Sequence, residues 1–454
     1  MKLATNLGGH FYQFKSLTEV MAKANEEKTG DSLAGLAAAS MAERVAAKAV
    51  LADITLGEIR NNPLIPPETD EVSRAIEEQV DESQYQQVKN WSVRQFREWL
   101  LDIGTRPADI TRVRGGLTSE MVAATCKLMS NLDLVYAAAK MRVAATANTT
   151  IGLKGTLAAR LQPNHPTDSV AGILAATRAG LAYGVGDAVI GVNPVNDTVE
   201  SVTHVLNALH EFVTDWQVPT QICVLAHVTT MMKAAEQGAP FGLIFQSLAG
   251  TQTGNESFGI SVAMLDEAYA IAKDRAKVAG PNVMYFETGQ GSELSADAHK
   301  GVDQVVLEAR CYGLAKRYNP FLVNTVVGFI GPEYLFDSKQ VLRAGLEDHF
   351  MGKLTGISMG VDACYTNHIE ADQNDLENLE VLLTAAGCNY FMGLPQGDDV
   401  MLNYQSSGFH DTAALREIFG LRPAPQFEIW LERMGIMAEG HLTSRAGDPT
   451  IFFK

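Results

Sequence analysis

Polar side chains close a series of short apolar runs in the middle of this chain. The runs span 157–162, 187–193, 221–227, 241–247, 282–288, 321–327, 356–362 and 388–394, and most are rich in Val, Ile, Leu and Phe. The polar residues at or near their ends are Arg160 and Gln162, Asn193, His227, Gln246 and Ser247, Glu287, Asn324 and Thr325, and Asp362. Such a set combines donors, acceptors and both signs of charge, so it could bind a small polar molecule if the fold brings the run ends together.

The types of these residues suggest which molecule that would be. Arg160 and Gln162 lie two apart on one predicted strand and therefore point to the same face. Glu287, Asp362 and amide oxygens suit a cationic amine, whereas Arg160 with Asn193 suits a neutral oxygen. The pattern favours a small substrate that carries both an ammonium and an oxygen function. The alternative is that Arg160 only pairs with Glu287 or Asp362 and neutralises this end of the strands.

Missing motifs narrow the chemistry. None of the predicted strands ends in Lys, which disfavours a Schiff-base aldolase. No HxH follows the first strand and no HExxH occurs, so common metallohydrolase patterns are absent from the sequence. His227 together with Glu287 and Asp362 could hold a metal, although a hydrogen-bonded barrel histidine is the favoured interpretation.

Segments with helical periodicity separate the apolar runs. They cover 167–184, 196–216, 228–238, 256–280, 295–319, 338–354 and 374–387. A strand and helix repeated eight times predicts an α/β protein, a parallel (β/α)8 TIM barrel with its active site at the C-terminal strand ends.

Helical segments are predicted on both sides of the barrel. We expect the barrel over 151–411, preceded by an N-terminal helical region over 1–150 that packs on the barrel or on a neighbouring subunit. A short C-terminal helical extension and tail follow over 412–454. Helices are predicted at 33–54, 91–102 and 117–141, and no strand is needed before about residue 142.

Composition limits the partners and the compartment. The 454 residues carry a formal net charge of −17, which argues against nucleic acid or an anionic membrane as a partner. The five cysteines are odd in number and widely spaced, as expected for free thiols in a reducing cytosol. No run of about 18 apolar residues occurs and the N-terminus lacks an export signal, so no membrane span is expected.

Several longer motifs together resemble one enzyme family. LAARLQPNHPTDS, VIGVNPVNDT, LIFQSLAGTQTGNESFG, YFETGQGSELSADAHKG and ISMGVDACYTNH follow one another at five strand ends, and LIPPETDEVSR lies nearer the N-terminus. In this order and spacing they closely resemble the heavy chain of ethanolamine ammonia-lyase, over essentially the whole chain. The resemblance implies an adenosylcobalamin-dependent radical conversion of ethanolamine to acetaldehyde and ammonia.

The resemblance also implies roles for individual residues. The implied substrate-binding residues are Arg160, Gln162, Asn193, Glu287 and Asp362, of which Glu287, Arg160 and Asp362 are catalytic. The implied cofactor contacts are Gln246, Ser295 and Met401, with Phe258 and Phe329 as walls of the adenosine or substrate space, and no residue is assigned to a metal. Glu287 is the candidate for proton transfer as the amine leaves.

Partners follow from the same resemblance. It implies a separate light chain that holds much of the corrin, heavy chains that self-associate through the helical region, and a cytoplasmic location, often inside a protein-shelled bacterial microcompartment. Two other classes remain open from the residues themselves. One is a metal- or acid/base-dependent TIM-barrel lyase or isomerase acting on a small polar metabolite. The other is a non-enzymatic scaffold subunit, which would have no reason to carry convergent polar strand ends.

Overall fold

A computed structural model describes residues 1–453 of the chain. Its strands are β1 (Ala4–Leu7), β2 (His10–Gln13), β3 (Ala145–Thr146), β4 (Thr150–Ile151), β5 (Ala158–Leu161), β6 (Val189–Val192), β7 (Ile222–Val224), β8 (Ile244–Ser247), β9 (Met284–Thr288), β10 (Leu322–Gly328), β11 (Met359–Thr366), β12 (Tyr390–Gly393), β13 (Asp398–Asp399), β14 (Tyr404–Gln405), β15 (Met437–Ala438) and β16 (His441–Leu442).

The helices alternate with these strands after an N-terminal helical region. They are α1 (Leu17–Lys23), α2 (Thr29–Leu33), α3 (Met41–Asp53), α4 (Leu56–Arg60), α5 (Glu71–Glu78), α6 (Glu82–Val88), α7 (Val93–Leu101), α8 (Pro107–Arg114), α9 (Ser119–Lys127), α10 (Asn131–Ala139), α11 (Val170–Ala182), α12 (Val199–Asp215), α13 (Val228–Glu236), α14 (Gln252–Ser257), α15 (Val262–Arg275), α16 (Ser292–Ser295), α17 (Gln304–Lys316), α18 (Ser338–Thr355), α19 (Gln373–Ala385), α20 (Phe409–Phe419) and α21 (Pro425–Arg433). Across residues 1–453, none of them has both the length and the apolar character needed to cross a membrane.

Strands β5 to β12 form the predicted TIM barrel. They are hydrogen-bonded in the order β7-β6-β5-β12-β11-β10-β9-β8, and every ladder between them is parallel. The two outer strands of this order meet where the Gly242 backbone N–H donates to the Ile222 carbonyl oxygen, at 2.8 Å. The barrel is therefore nearly closed, and the predicted α/β fold class is confirmed.

The barrel strands are covered on both faces, which explains why they read as continuous apolar runs. Strands β5, β6, β7 and β12 are buried at every position, as expected for parallel strands beneath a layer of helices. The helices turn one apolar face inwards. In α12, for example, Val202, Val205 and Leu209 are buried at helical spacing.

The N-terminal part departs from the prediction in three places. Strands β1 and β2 form an antiparallel hairpin over residues 4–13, so the expectation of no strand before about residue 142 was wrong. The predicted helix 117–141 is two helices, α9 and α10, because Ser130 caps the second by accepting from the Asp133 backbone N–H. The predicted helix 33–54 begins only at Met41, after the Ser40 N-cap.

The chain after β12 returns to the mouth of the barrel. Strands β13 and β14 pair with each other, and β14 also pairs antiparallel with the end of β11, with Thr366 opposite Tyr404. This places the segment 398–407 at the C-terminal strand ends. Farther along, the buried Arg416 of α20 binds Asp187, at 3.1 Å, and so ties the C-terminal helices to the start of β6.

Candidate active site

Arg160 is the centre of a hydrogen-bonded group inside the barrel. It lies on β5 with none of its side chain exposed. Its Nη1 donates to Glu287 Oε1, at 2.6 Å, and to the Tyr285 hydroxyl oxygen, while its Nη2 donates to Asn193 Oδ1, at 3.0 Å. The Tyr285 hydroxyl in turn donates to Glu287 Oε1. Arg160 therefore pairs with the strand-end carboxylate of Glu287, which was one of the two partners considered in the alternative from sequence.

Asp362 is the centre of a second group beside the first. It is fully buried on β11. The Tyr404 hydroxyl donates to Asp362 Oδ2, at 3.0 Å, and the Ser406 hydroxyl donates to Oδ1. Gln162 Nε2 donates to the Tyr404 hydroxyl oxygen, at 3.0 Å, and to Asp399 Oδ2, at 2.6 Å. The loop after β12 thus supplies three groups, from Asp399, Tyr404 and Ser406, that hold Gln162 and Asp362.

Asn164 joins the two groups. Its Oδ1 accepts from the Asn193 backbone N–H, at 2.8 Å, and its Nδ2 donates to Asp399 Oδ2, at 2.7 Å. The five residues predicted to bind substrate, Arg160, Gln162, Asn193, Glu287 and Asp362, are consequently connected through one network at the barrel mouth. Glu287 retains 14% exposure of its side chain, whereas Arg160 has none.

Burial sets the protonation preference of this network. Removal from water raises the pKa of Asp362 to about 7, against hydrogen bonds from Ser406 and the charge of Arg160, both of which lower it. Burial likewise raises the pKa of Tyr285 well above its usual value, so this hydroxyl remains a proton donor to Glu287. A bound cation would favour the charged form of Asp362, because opposite charges nearby stabilise it.

His227 has a structural role as the N-cap of α13. Its Nδ1 lies 2.8 Å from Thr229 Oγ1 and its Nε2 lies 3.0 Å from the Phe258 carbonyl oxygen. Both ring nitrogens are therefore engaged, as expected for a hydrogen-bonded histidine. Among residues 1–453, no group of three or more His, Cys, Asp or Glu side chains is arranged to hold a metal ion.

The three predicted cofactor contacts lie on a strand, at the end of a helix and in a turn. Gln246, on β8, is directed towards α13, where its Oε1 accepts from the Val228 backbone N–H at 3.0 Å. Ser295 ends α16 and donates to the Ser292 carbonyl oxygen, at 2.7 Å. Met401 lies in the turn between β13 and β14.

Apolar side chains are exposed at the same rim. Phe329 is 37% exposed and packs edge-on against Tyr404 with ring centroids 5.3 Å apart, and Val400 is 71% exposed. Phe258 is half-buried and contributes its carbonyl oxygen to His227. A cavity of about 230 Å³ opens beside Gln162, Asn164 and Val400.

Sequence reasoning missed several members of the network. Tyr285 precedes Glu287 by two residues and shares its face, which was an available signal. No sequence signal indicated Asp399, Tyr404 and Ser406. They lie in a loop more than 230 residues from Gln162. One prediction was wrong in the opposite sense. Thr325 was predicted to converge on the mouth, but it points away from it and donates to Asp348, at 2.8 Å.

The arrangement can bind a small molecule with a cationic end and a neutral oxygen. The carboxylates of Glu287 and Asp362 provide acceptors for the cation, and Arg160 provides donors for an oxygen. Arg160 and Asp362 are fully buried and the Glu287 side chain is 14% exposed, so each of these interactions is stronger than it would be at the surface.

The full chain is similar to known proteins of one family. A family model described as "Ethanolamine ammonia lyase large subunit" matches residues 12–445. Proteins named ethanolamine ammonia-lyase large subunit from Escherichia coli (strain K12) and Salmonella typhimurium are each 59% identical over 453 residues, covering 100% of both chains. A solved truncated 3-deoxy-D-arabino-heptulosonate 7-phosphate synthase from Thermotoga maritima covers 62% of this chain and 98% of its own, with 11% identity and a TM-score of 0.36, too low to support any argument.

Proposed function

Because this chain belongs to the ethanolamine ammonia-lyase large-subunit family, we propose that its barrel mouth binds ethanolamine and converts it to acetaldehyde and ammonia. The chain is the catalytic subunit of this carbon–nitrogen lyase. The observation that carries the proposal is the connected network of Arg160, Glu287 and Asp362, which matches a substrate with one ammonium and one hydroxyl. No second function is favoured by a specific contact.

The two ends of ethanolamine are assigned by charge. Glu287 and Asp362, with the Oε1 atom of Gln162, accept hydrogen bonds from the ammonium. Arg160 and Asn193 bind the hydroxyl. The raised pKa of Asp362 supports this assignment. Burial favours the neutral form of this carboxyl, and a cation bound beside it would stabilise the charged form.

Glu287 is the residue proposed to transfer the proton as the amine leaves. Its Oε1 already accepts from Arg160 and Tyr285. These two contacts fix the carboxylate and leave Oε2 for the substrate. Its partial exposure also places it on the side of the lumen that faces the mouth. A carboxylate fixed in this way can accept a proton from the substrate ammonium and return it to the nitrogen as ammonia leaves.

Adenosylcobalamin is the proposed cofactor, and the mouth fits it. Gln246, Ser295 and Met401 are the residues proposed to hold it, and the exposed Phe329 and Val400 offer apolar contact to a large flat ligand. When bound, the cofactor would supply the radical chemistry that activates a carbon–hydrogen bond of the substrate. The chain itself binds and orients the substrate, excludes water from the lumen and moves the proton at Glu287.

The assembly is also part of the proposal. A small subunit is the expected partner, since the relatives are named as large subunits. We further propose that residues 1–150 form a helical region for self-association, that 151–411 form the catalytic barrel and that 412–454 form a C-terminal extension. The proposed location is the cytoplasm, within a bacterial microcompartment.

The deciding experiment is ethanolamine-dependent acetaldehyde formation with adenosylcobalamin. It is run with this chain alone, with a candidate small subunit alone, and with both. Activity only when cofactor and both subunits are present supports the proposal. An assembled complex that forms no acetaldehyde and gives no cob(II)alamin signal on addition of ethanolamine would refute it.

A further inference from the structure

Asn324 on β10 has no hydrogen-bonding partner although it is completely buried. Its side chain has 0% exposure, and neither Oδ1 nor Nδ2 contacts a donor or acceptor. A buried polar group without a partner costs about 1–3 kcal/mol, so native proteins rarely keep one without a use. Asn324 therefore marks a place where a polar guest is expected.

Asn324 faces the lumen of the barrel. It is directly opposite Glu287 of β9 in the parallel ladder, and residues paired in this way point to the same side of the sheet. Glu287 reaches Arg160 on the non-adjacent strand β5, so that side is the interior. Thr325, the next residue, points outwards to Asp348.

Two more unpaired polar atoms lie in the same interior. The Tyr390 hydroxyl of β12 is buried without a partner. Its ring covers Gly360, where an added Cβ would be 2.1 Å from Tyr390 Cζ, and Gly360 is directly opposite Asn324. Tyr390 thus extends across a residue without a side chain towards β10. Arg160 Nε is the other unpaired atom.

We propose that Asn324 is a further ethanolamine-binding residue, whose Oδ1 accepts a hydrogen bond from the substrate ammonium. The inference rests on the proposed function. Its strand lies between β9, which carries Glu287, and β11, which carries Asp362. An ammonium has three N–H donors, for which Glu287, Asp362 and Gln162 are the acceptors proposed above. Asn324 Oδ1, on the wall between the two carboxylates, can share one of these donors as a further acceptor.

The test compares binding with stability in the assembled two-subunit complex. Asn324→Leu keeps the size of the side chain but removes both polar atoms, which is neutral or stabilising where those atoms lack partners. We expect the Tm of the ligand-free complex to stay the same or rise. The Kd for ethanolamine, measured by calorimetry without cofactor, should increase roughly 10- to 100-fold, because hydrogen bonds to charged groups are the stronger ones. The Kd for ethylene glycol, which lacks the ammonium, should change little.

Asn282→Leu is the matched control. Asn282 is a buried asparagine next to β9 whose Oδ1 accepts from the Thr146 backbone N–H and whose Nδ2 donates to the Asn319 carbonyl oxygen, both at 2.8 Å. Its substitution should lower Tm and leave the Kd for ethanolamine unchanged. Asn324→Asp keeps the acceptor and adds charge, so it should increase the preference for ethanolamine over ethylene glycol.

The outcomes separate this inference from the function on which it rests. A lower Tm for Asn324→Leu with an unchanged Kd would overturn the inference and assign the amide a structural role. An unchanged preference in Asn324→Asp would also overturn it, even if the leucine variant failed to fold. Wild-type complex that does not bind ethanolamine would refute the proposed function, and this inference with it.

Discussion

Replacing Asp362 with Asn should make the protein more stable and less able to bind its substrate. Asp362 is fully buried and accepts from Tyr404 and Ser406, with Arg160 and Glu287 as the nearby charged groups. Burial raises its pKa to about 7. The pKa of an aspartate in the unfolded chain is near 3.9. The difference means that ionisation of Asp362 lowers the free energy of unfolding by about 4 kcal/mol.

The pH dependence has a definite sign. Because the folded pKa lies above the unfolded one, the folded wild type holds a proton that the unfolded chain has lost between pH 4 and pH 7. Wild-type stability therefore falls as pH rises through this window and is level above it. Asp362→Asn does not titrate, so its stability advantage should grow by roughly 2 kcal/mol between pH 5 and pH 7 and become constant only near pH 8. The Asn amide meets one hydroxyl donor that must rotate to accept, which lowers the advantage by the same amount at every pH.

The assay has two parts in the assembled complex. Thermal unfolding of wild type and Asp362→Asn from pH 5 to pH 9 gives the difference in Tm. Calorimetry at pH 8 gives the Kd for ethanolamine, which should rise roughly 10- to 100-fold on loss of a charged acceptor. Wild type should also release a proton on binding below pH 7, and the variant should not. A variant that is less stable than wild type at pH 8, or a Tm difference that does not vary with pH, would show that Arg160 keeps Asp362 charged and would refute the reasoning.

The other predictions concern the carboxylate proposed to transfer the proton, the ion pair that holds the C-terminal helices, the packing of the lumen and the thiols. Glu287→Gln should reduce acetaldehyde formation at least 100-fold while Tm changes little, because the amide oxygen still accepts from Arg160; retained turnover would exclude Glu287 from proton transfer. Asp187→Ala should destabilise the protein by about 3–5 kcal/mol in thermal or denaturant unfolding, because it leaves Arg416 buried without its carboxylate. Gly360→Ala should lower Tm, since the new Cβ would lie 2.1 Å from the Tyr390 ring; an unchanged Tm would mean that the ring moves freely. All five cysteines are buried, so a thiol reagent such as DTNB should label the native protein only slowly and five thiols per chain after denaturation.

The barrel could be predicted from sequence because its physical cause is local. Parallel strands covered by helices must be apolar on both faces, so each appears as a short apolar run with a polar end. The hairpin β1–β2 was missed for the opposite reason. None of its strand residues is buried and they show no apolar alternation, so only their pairing with each other makes them strands.

The candidate site divides in the same way. The residue types at the strand ends indicated Arg160, Glu287 and Asp362 and a small substrate with an ammonium and an oxygen function, and the family resemblance implied that this substrate is ethanolamine. The contacts with Asp399, Tyr404 and Ser406 depend on a distant loop that folds back over the barrel, which no local pattern encodes.

The last distinction concerns two neighbouring residues. The sequence alone determined that polar Asn324 and Thr325 are neighbours within one strand of the barrel. It did not determine which of them faces the lumen, because adjacent strand residues point to opposite sides and a shift of one residue exchanges them. Only the tertiary pairing of β10 with β9 and β11 decided this. It places Asn324 inside, beside Glu287, and Thr325 outside, against Asp348.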